Sequence, residues 1–347
     1  MIIIGCDFHT RFQQIAMLDT ESGEVVEKRL EHEDEEAKRF YAGLESPALV
    51  GIESTGYTLW FAEMLQELGH ELGVGDAAKI RASETRKQKH DRRDAWNIMK
   101  LLSEGKFPRL WLPSVEEREV RVLLEHRHQL VQMRTRAKNG LQAVALNHGL
   151  RCRRRLWTEA GLKRLQGLSL GEGTQRRRQD LLRLLQQLDT WVEELDERLE
   201  AEVGRRPAAQ RLMTHPGVGP LTALATVLIL GEVERFSEVR QVTSYVGLIP
   251  AEESSGGRQR FGHLTKQGNR LLRFLLVEAG QTASQKDPGL RRTYKRLTFR
   301  KGRSIAKVAI ARKLIIRLYI MLRDKIDYAE FCRRGSHAGM LGEVALA

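Results

Sequence analysis

Ala48-Leu49-Val50-Gly51-Ile52-Glu53-Ser54-Thr55-Gly56 decides how the first part of this chain folds. Five apolar residues follow the Ser46-Pro47 break and end on a carboxylate and a turn, the signature of a strand covered on both faces. Upstream, Ile2 to Asp7, Gln13 to Asp19 and Val25 to Leu30 read as three strands, with Glu21-Ser22-Gly23 as one of their turns. A helix over about Asp34 to Leu44 separates this meander from the quoted strand. Downstream, Leu59, Phe61, Met64, Leu65 and Leu68 recur at helical spacing, and a short strand follows Gly69 over about Glu71 to Val74. Ala95, Ile98, Met99, Leu101 and Leu102 then mark a helix that begins near Asp91 and is closed by Gly105 and Pro108. The order is strand, strand, strand, helix, strand, helix, strand, helix, an α/β pattern with an antiparallel opening.

That is the element order of a ribonuclease-H-like (RuvC-like) fold, in which the first and fourth strands are neighbours. Asp7 ends the first strand and Glu53 the fourth, so their carboxylates are expected side by side. Asp91 and Asp94, three apart, share one face of the helix that packs on them. Four ionised carboxylates in one place repel, and one or two hard divalent cations relieve that cost. Ions held this way can grip a phosphodiester and stabilise its attacking and leaving oxygens. Taken singly, each acid has a plainer reading: strand-end aspartates are common, and Asp91 and Asp94 suit the positive end of a helix dipole.

The chain has 58 Lys+Arg against 45 Asp+Glu, a formal charge of +13, and the excess is unevenly placed. Residues 1–110 hold 15 basic and 20 acidic residues, whereas residues 111–347 hold 43 and 25. A mildly acidic domain thus precedes a strongly basic one, which points to a polyanion partner. A composition of 41% hydrophobic and 30% charged residues excludes a disordered tail. The longest apolar runs are too short to span a bilayer, and no secretory leader opens the sequence, so no membrane role and a cytoplasmic location are expected. Three scattered cysteines offer no zinc or redox motif.

Three domains are expected: an α/β catalytic domain over 1–110, a helical coiled-coil region for linkage and oligomerisation over 111–204, and a mainly α domain over 205–347. In the middle region Leu123, Leu130, Ala137 and Val144 recur every seven residues. Leu181, Leu185, Leu188, Val192, Leu195 and Leu199 form a second seam over about Gln179 to Val203. These helices can pair within one chain or across two subunits.

In the last region His215-Pro216-Gly217-Val218-Gly219-Pro220 lies between a short helix and an apolar one, a helix-hairpin-helix pattern. Gly217 and Gly219 permit the tight turn, and the N–H groups beyond them can hold a phosphate without reading sequence. After Tyr245-Val246-Gly247-Leu248-Ile249-Pro250 comes a polar loop containing Ser254-Ser255-Gly256-Gly257, ringed by Arg258, Arg260, Lys266 and Arg270. A Ser-Gly loop is usually only a connection. Ringed by cations, it also suits a serine nucleophile attacking a phosphate.

Gly5-Cys6-Asp7, Gly51-Ile52-Glu53-Ser54-Thr55-Gly56 and Asp91-Arg92-Arg93-Asp94-Ala95 together resemble the motifs of the DEDD insertion-sequence transposases, the group that includes the pilin-gene invertases. Pro-Gly-Val-Gly-Pro, Tyr-Val-Gly-Leu-Ile-Pro and Ser-Ser-Gly-Gly, in that order, resemble their C-terminal domain. The resemblance spans most of the chain; it departs at Cys6, where an aliphatic residue more often precedes the aspartate. It implies a DNA recombinase in which Asp7, Glu53, Asp91 and Asp94 bind magnesium (Mg2+) or manganese (Mn2+). Ser255 would form a transient phosphoserine link to DNA, with Ser254 the second candidate. It further implies a structured guide RNA as partner, and a homo-oligomer, a dimer that becomes a tetramer on synapsis. Two other readings remain at this point: a RuvC-like endonuclease hydrolysing branched DNA, and a non-catalytic nucleic-acid-binding scaffold. A sugar-kinase-like ATPase shares the strand order, but the N-terminal part lacks a phosphate-cradling glycine loop.

Overall fold

The computed structural model describes residues 1–83, 90–152, 155–252 and 260–334. The chain divides into two compact units, Met1–Leu112 and Pro113–Ala347.

The first unit is built on a five-stranded sheet of order β3-β2-β1-β4-β5. Its strands are β1 (Ile2–Phe8), β2 (Phe12–Asp19), β3 (Val25–Glu31), β4 (Ala48–Glu53) and β5 (Glu71–Gly75). The first three run antiparallel as a meander, and β4 and β5 continue from β1 in parallel. Two helices, α1 (Glu36–Ala42) and α2 (Leu59–Glu67), contribute Tyr41, Phe61 and Leu65 to a core with Ile4, Cys6, Val50 and Ile52. Strand alternation sends the intervening residues Ile3, Gly5 and Asp7 to the other face. There a short helix, α3 (Ala77–Ala82), and the longer α4 (Asp91–Ser103) pack, with Ala95 and Met99 against Ile3 and Ala16. The edge strand β3 carries Glu27, Lys28, Arg29 and Glu31, charges that discourage pairing with a further strand.

Paired glycines let α4 lie close. Gly5 faces Gly51 and Gly51 faces Gly73 across the parallel strands. A methyl group at Gly5 would stand 2.1 Å from the Ala95 carbonyl oxygen and 2.3 Å from the Met99 nitrogen. The helix backbone therefore rests on the strand backbone itself.

The second unit is mostly helical. Helices α5 (Val115–Asn147) and α7 (Glu172–Gly204), each about 50 Å long at 1.5 Å per residue, pair within the chain. Their register is antiparallel: Arg127 binds Asp196 through two hydrogen bonds of 2.5 and 3.0 Å, and Arg134 lies 3.3 Å from Asp189. Leu130 packs with Leu188, Val192 and Leu195 at the seam, so these heptad faces cover each other within the chain. The second helix starts seven residues earlier than the apolar repeat suggests, because its first two turns are polar. A small helix, α6 (Glu159–Gln166), fills the connection.

The remaining helices are α8 (Pro207–Met213), α9 (Pro220–Leu230), α10 (Val239–Tyr245), α11 (Arg270–Lys286), α12 (Pro288–Lys301), α13 (Arg303–Arg323) and α14 (Tyr328–Arg334). Apolar α9 lies at the centre, and Val120, Leu124, Leu199 and Val203 from the ends of the long pair share its core. No helix among the described residues is long and apolar enough to cross a membrane.

A buried polar network ties the α8–α9 turn to the later helices. His215, 1% exposed, donates from Nδ1 to the Pro216 carbonyl at 3.0 Å, and its Nε2 accepts from Arg317 at 3.4 Å. Arg317 also binds Asp287 at 2.9 Å, and Tyr328 donates to the same carboxylate. Burial first, and the Arg317 charge second, push the imidazole down to about 4. The unfolded chain takes up this proton near the ordinary histidine value of 6.5, whereas the folded chain resists it. Stability from this group is therefore complete above pH 6.5 and is lost as pH falls toward 4, by about 3 kcal/mol. Urea unfolding across that window is expected to show a shallower pH dependence in His215→Gln; an unchanged slope would contradict the assignment.

Candidate metal centre

The C-terminal ends of β1 and β4 lie side by side. Their last paired residues are Cys6 and Ile52, so Asp7 and Glu53 come next, and both follow glycines on the face that α4 covers. Helix α4 begins at Asp91, with the His90 imidazole accepting from the Arg92 N–H at 3.4 Å as its cap. Its inward stripe runs Asp91, Asp94, Ala95, Ile98, Met99, the i, i+3, i+4 pattern of one helical face. Because Ala95 and Met99 sit on Gly5, the first turn of α4 points past the end of β1, toward Asp7.

Asp7, only 7% exposed, lies 3.1 Å from His9 Nε2, and the same nitrogen lies 3.6 Å from Asp91. One ligand atom from each of Asp7, His9 and Asp91 falls within 4.8 Å of the other two. Glu53 and Asp94 are half-buried and belong to the same strand end and helical turn, but they stand outside that three-residue group. The structure thus brings together two of the four acids singled out in the sequence. It adds His9, which the sequence reading missed; the signal was present, since Asp7 and His9 are two apart on an extended segment and share a face.

The donor set fits a divalent cation. Two carboxylates offer hard oxygen ligands, and a neutral imidazole adds a nitrogen that manganese accepts more readily than magnesium does. Burying one carboxylate beside another is unfavourable unless positive charge accompanies them. His9 is held in place by its own N–H, which donates to the Phe12 carbonyl at 3.0 Å, and by its ring lying 4.6 Å from that of Phe12.

In the second unit, Ser254, Ser255 and Arg258 lie outside the described residues. On either side of them, β6 (Pro250–Glu252) and β7 (Phe261–Leu264) pair antiparallel. The base of this hairpin is anchored by two glycines at positive φ. A methyl at Gly247 would meet the Gln267 carbonyl oxygen at 2.2 Å, and one at Gly268 the Tyr245 carbonyl oxygen at 1.9 Å. Arg273 crosses the junction, donating to the carbonyls of Val246 at 3.2 Å and Gly268 at 3.0 Å as well as to that of Gln267; this positioning residue also escaped the sequence reading. Arg260, Lys266 and Arg270 are exposed along the same stretch, Arg270 opening α11 behind an Asn269 cap. Gly217 packs on α11, where a Cβ would meet the Ala283 nitrogen at 2.4 Å, whereas Gly219 caps α9 and faces open space.

Comparison with known proteins finds two family matches, the first covering the α/β unit and helix α5 and the second lying within the later helices. A DEDD-type transposase model of the IS110 group matches residues 4–148, and the transposase family IS116/IS110/IS902 matches residues 209–295. The chain is 27% identical over 338 residues to a probable family 20 transposase of Pseudomonas aeruginosa, covering 94% of this chain and 98% of that one. It is 29% identical over 248 residues to the transposase for insertion sequence element IS1111A of Coxiella burnetii, covering 69% and 68%. An insertion element IS110 protein of Streptomyces coelicolor is 32% identical over 144 residues, or 40% and 36%.

Proposed function

The chain belongs to the IS110 family of DEDD insertion-sequence transposases, and from that premise we propose that it cuts and rejoins DNA by metal-assisted serine attack, its first unit supplying a divalent-metal site of RuvC-like type. The observation that carries this reading is the convergence of Asp7, His9 and Asp91 at the end of β1. Asp7 and Asp91 hold Mg2+ or Mn2+ with His9 alongside, and Glu53 and Asp94 complete the carboxylate set from the neighbouring strand end and the same helical turn. A bound divalent ion supplies Lewis-acid stabilisation of charge on the phosphate oxygens.

The chain's own residues do the rest. Ser255 attacks phosphorus; a bond forms from its oxygen while the P–O bond to the departing DNA strand breaks. The serine proton passes to solvent, and the departing oxygen takes one up. The resulting phosphoserine keeps the energy of the phosphodiester for rejoining, which attack by water discards. Ser254 is the second candidate for this role. Arg258, Arg260, Lys266 and Arg270 neutralise the phosphates around the loop, and the turn carrying Gly217 and Gly219 acts as a helix-hairpin-helix in which the open N–H groups beyond Gly219 bind the backbone. A structured guide RNA selects the DNA sites, and the chain works in the cytoplasm as a dimer that pairs into a tetramer on synapsis. The 111–204 helices serve as its oligomerisation region, with residues 205–347 as the transposase domain.

Trapping decides between serine attack and hydrolysis. Wild-type protein denatured during reaction with labelled element-end DNA is expected to carry a covalent DNA adduct, and Ser255→Ala to carry none. Cleavage by wild type without any adduct would favour a hydrolytic endonuclease instead.

A further inference from the structure

Between Asp287 and Asp324 the chain carries twelve Lys and Arg residues and no acidic residue. Helix α12 concentrates them on one side. Leu290 is buried, and Tyr294 packs with it against Ala283 and Ile310, while Arg292, Lys295, Arg296, Phe299 and Arg300 are exposed. The first four follow i, i+3, i+4, i+7 spacing and so form one stripe. Arg317 and Arg323 of the twelve pair with Asp287 and Asp324, but Arg292, Lys295, Arg296 and Arg300 form no ion pair among the described residues. Phe299 is 94% exposed, a full aromatic ring in solvent among guanidinium groups.

Within the monomer this arrangement is unfavourable. Arg292 with Arg296, and Arg296 with Arg300, are like charges at i, i+4, which repel. Arg291, next to the stripe, also sits in the first turn, where the helix dipole disfavours cations. A partner that relieves both must offer regularly spaced negative charge together with a flat apolar face. A nucleic-acid strand with an unpaired base does so: phosphates for the stripe, a base face for the ring. An anionic membrane fits poorly, because the stripe holds a single apolar residue and the apolar side of α12 faces the core. A closed duplex fits poorly too, since its base faces are stacked away.

We propose that the α12 stripe of Arg292, Lys295, Arg296 and Phe299 binds single-stranded DNA, with Phe299 stacking on an unpaired base. The identity of the strand as DNA rests on the transposase reading; the surface itself does not involve the metal centre. Helix α12 would thus hold a DNA strand opened during cutting and rejoining.

The test uses the full-length chain in EDTA, so that neither metal binding nor cleavage enters. Fluorescence anisotropy is measured with labelled oligothymidylate, oligouridylate of equal length, a blunt DNA duplex and anionic vesicles. Phe299→Ser is expected to weaken oligothymidylate binding about tenfold and duplex binding less than about twofold, and Phe299→Trp to retain the affinity. The triple variant Arg292→Ser/Lys295→Ser/Arg296→Ser is expected to reduce the slope of log K against log salt by about 2 for oligothymidylate. Unchanged oligothymidylate binding in Phe299→Ser would overturn the proposal. So would an equal loss on the duplex, a loss confined to oligouridylate or to vesicles, or failure of Phe299→Trp to bind. Because Phe299 is so exposed, thermal unfolding of Phe299→Ser is expected to match wild type, which separates lost binding from lost fold.

Discussion

Asp7→Asn is expected to lower DNA cleavage and strand transfer by about a thousandfold or more while leaving the protein folded. The amide keeps the shape of the side chain at this 7% exposed position but removes an anionic ligand. A divalent ion contributes several kcal/mol of charge stabilisation in phosphoryl chemistry, and each 1.36 kcal/mol is about tenfold in rate. Stability is expected to move the opposite way in metal-free buffer. With His9 Nε2 lying 3.1 Å from Asp7 and 3.6 Å from Asp91, the two carboxylates share one compact space, and removing one charge relieves their repulsion. Wild type is expected to gain about 3 kcal/mol at manganese concentrations a hundredfold above its Kd, and Asp7→Asn to gain almost none. A variant that is inactive yet stabilised by manganese as strongly as wild type would put the ion elsewhere.

Gly5→Ala is expected to be the most damaging single methyl group in the first unit. The added carbon would fall 2.1 Å from the Ala95 carbonyl oxygen and 2.3 Å from the Met99 nitrogen, and backbone atoms of a packed helix cannot rotate away. Helix α4 must move outward, at a cost of about 3 kcal/mol or more. The same movement carries Asp91 away from Asp7, and a misplacement of about 1 Å at a reacting centre costs about a hundredfold in rate. Gly51→Ala provides the contrast. Its methyl would meet Leu102 Cδ1 at 2.6 Å and Ile98 Cγ2 at 3.0 Å, ends of side chains that can repack, so a loss of about 1 kcal/mol is expected. Thermal unfolding and cleavage assays on the two variants check both statements; equal effects would mean that α4 is not seated on the β1 backbone.

These contacts show what could be read from residues alone. The strands were legible because apolar runs bounded by turns have few alternatives, and Asp7 and Glu53 could be placed at strand ends from the sequence alone. His9 was passed over because its one signal, the two-residue spacing from Asp7, does not by itself point to a ligand; only the approach of α4, set by Gly5, brings Asp91 to it. The heptad seams of α5 and α7 were visible, but their pairing within the chain depends on the connection through α6 and on Arg127 meeting Asp196. Helix α3 and the β6–β7 hairpin were missed for another reason: six and three residues are too short to show a period. The polar network around His215 depends on residues up to 114 positions apart, the Tyr328 N–H donating to the Thr214 hydroxyl, which only folding brings together.

Anomalous diffraction from crystals grown with manganese tests the central claim most directly. The account predicts a manganese peak in contact with Asp7 and Asp91 at the end of β1, absent in Asp7→Asn crystals of the same form. A peak bound elsewhere, with the Asp7 carboxylate left uncoordinated in manganese-saturated wild-type crystals, would contradict it.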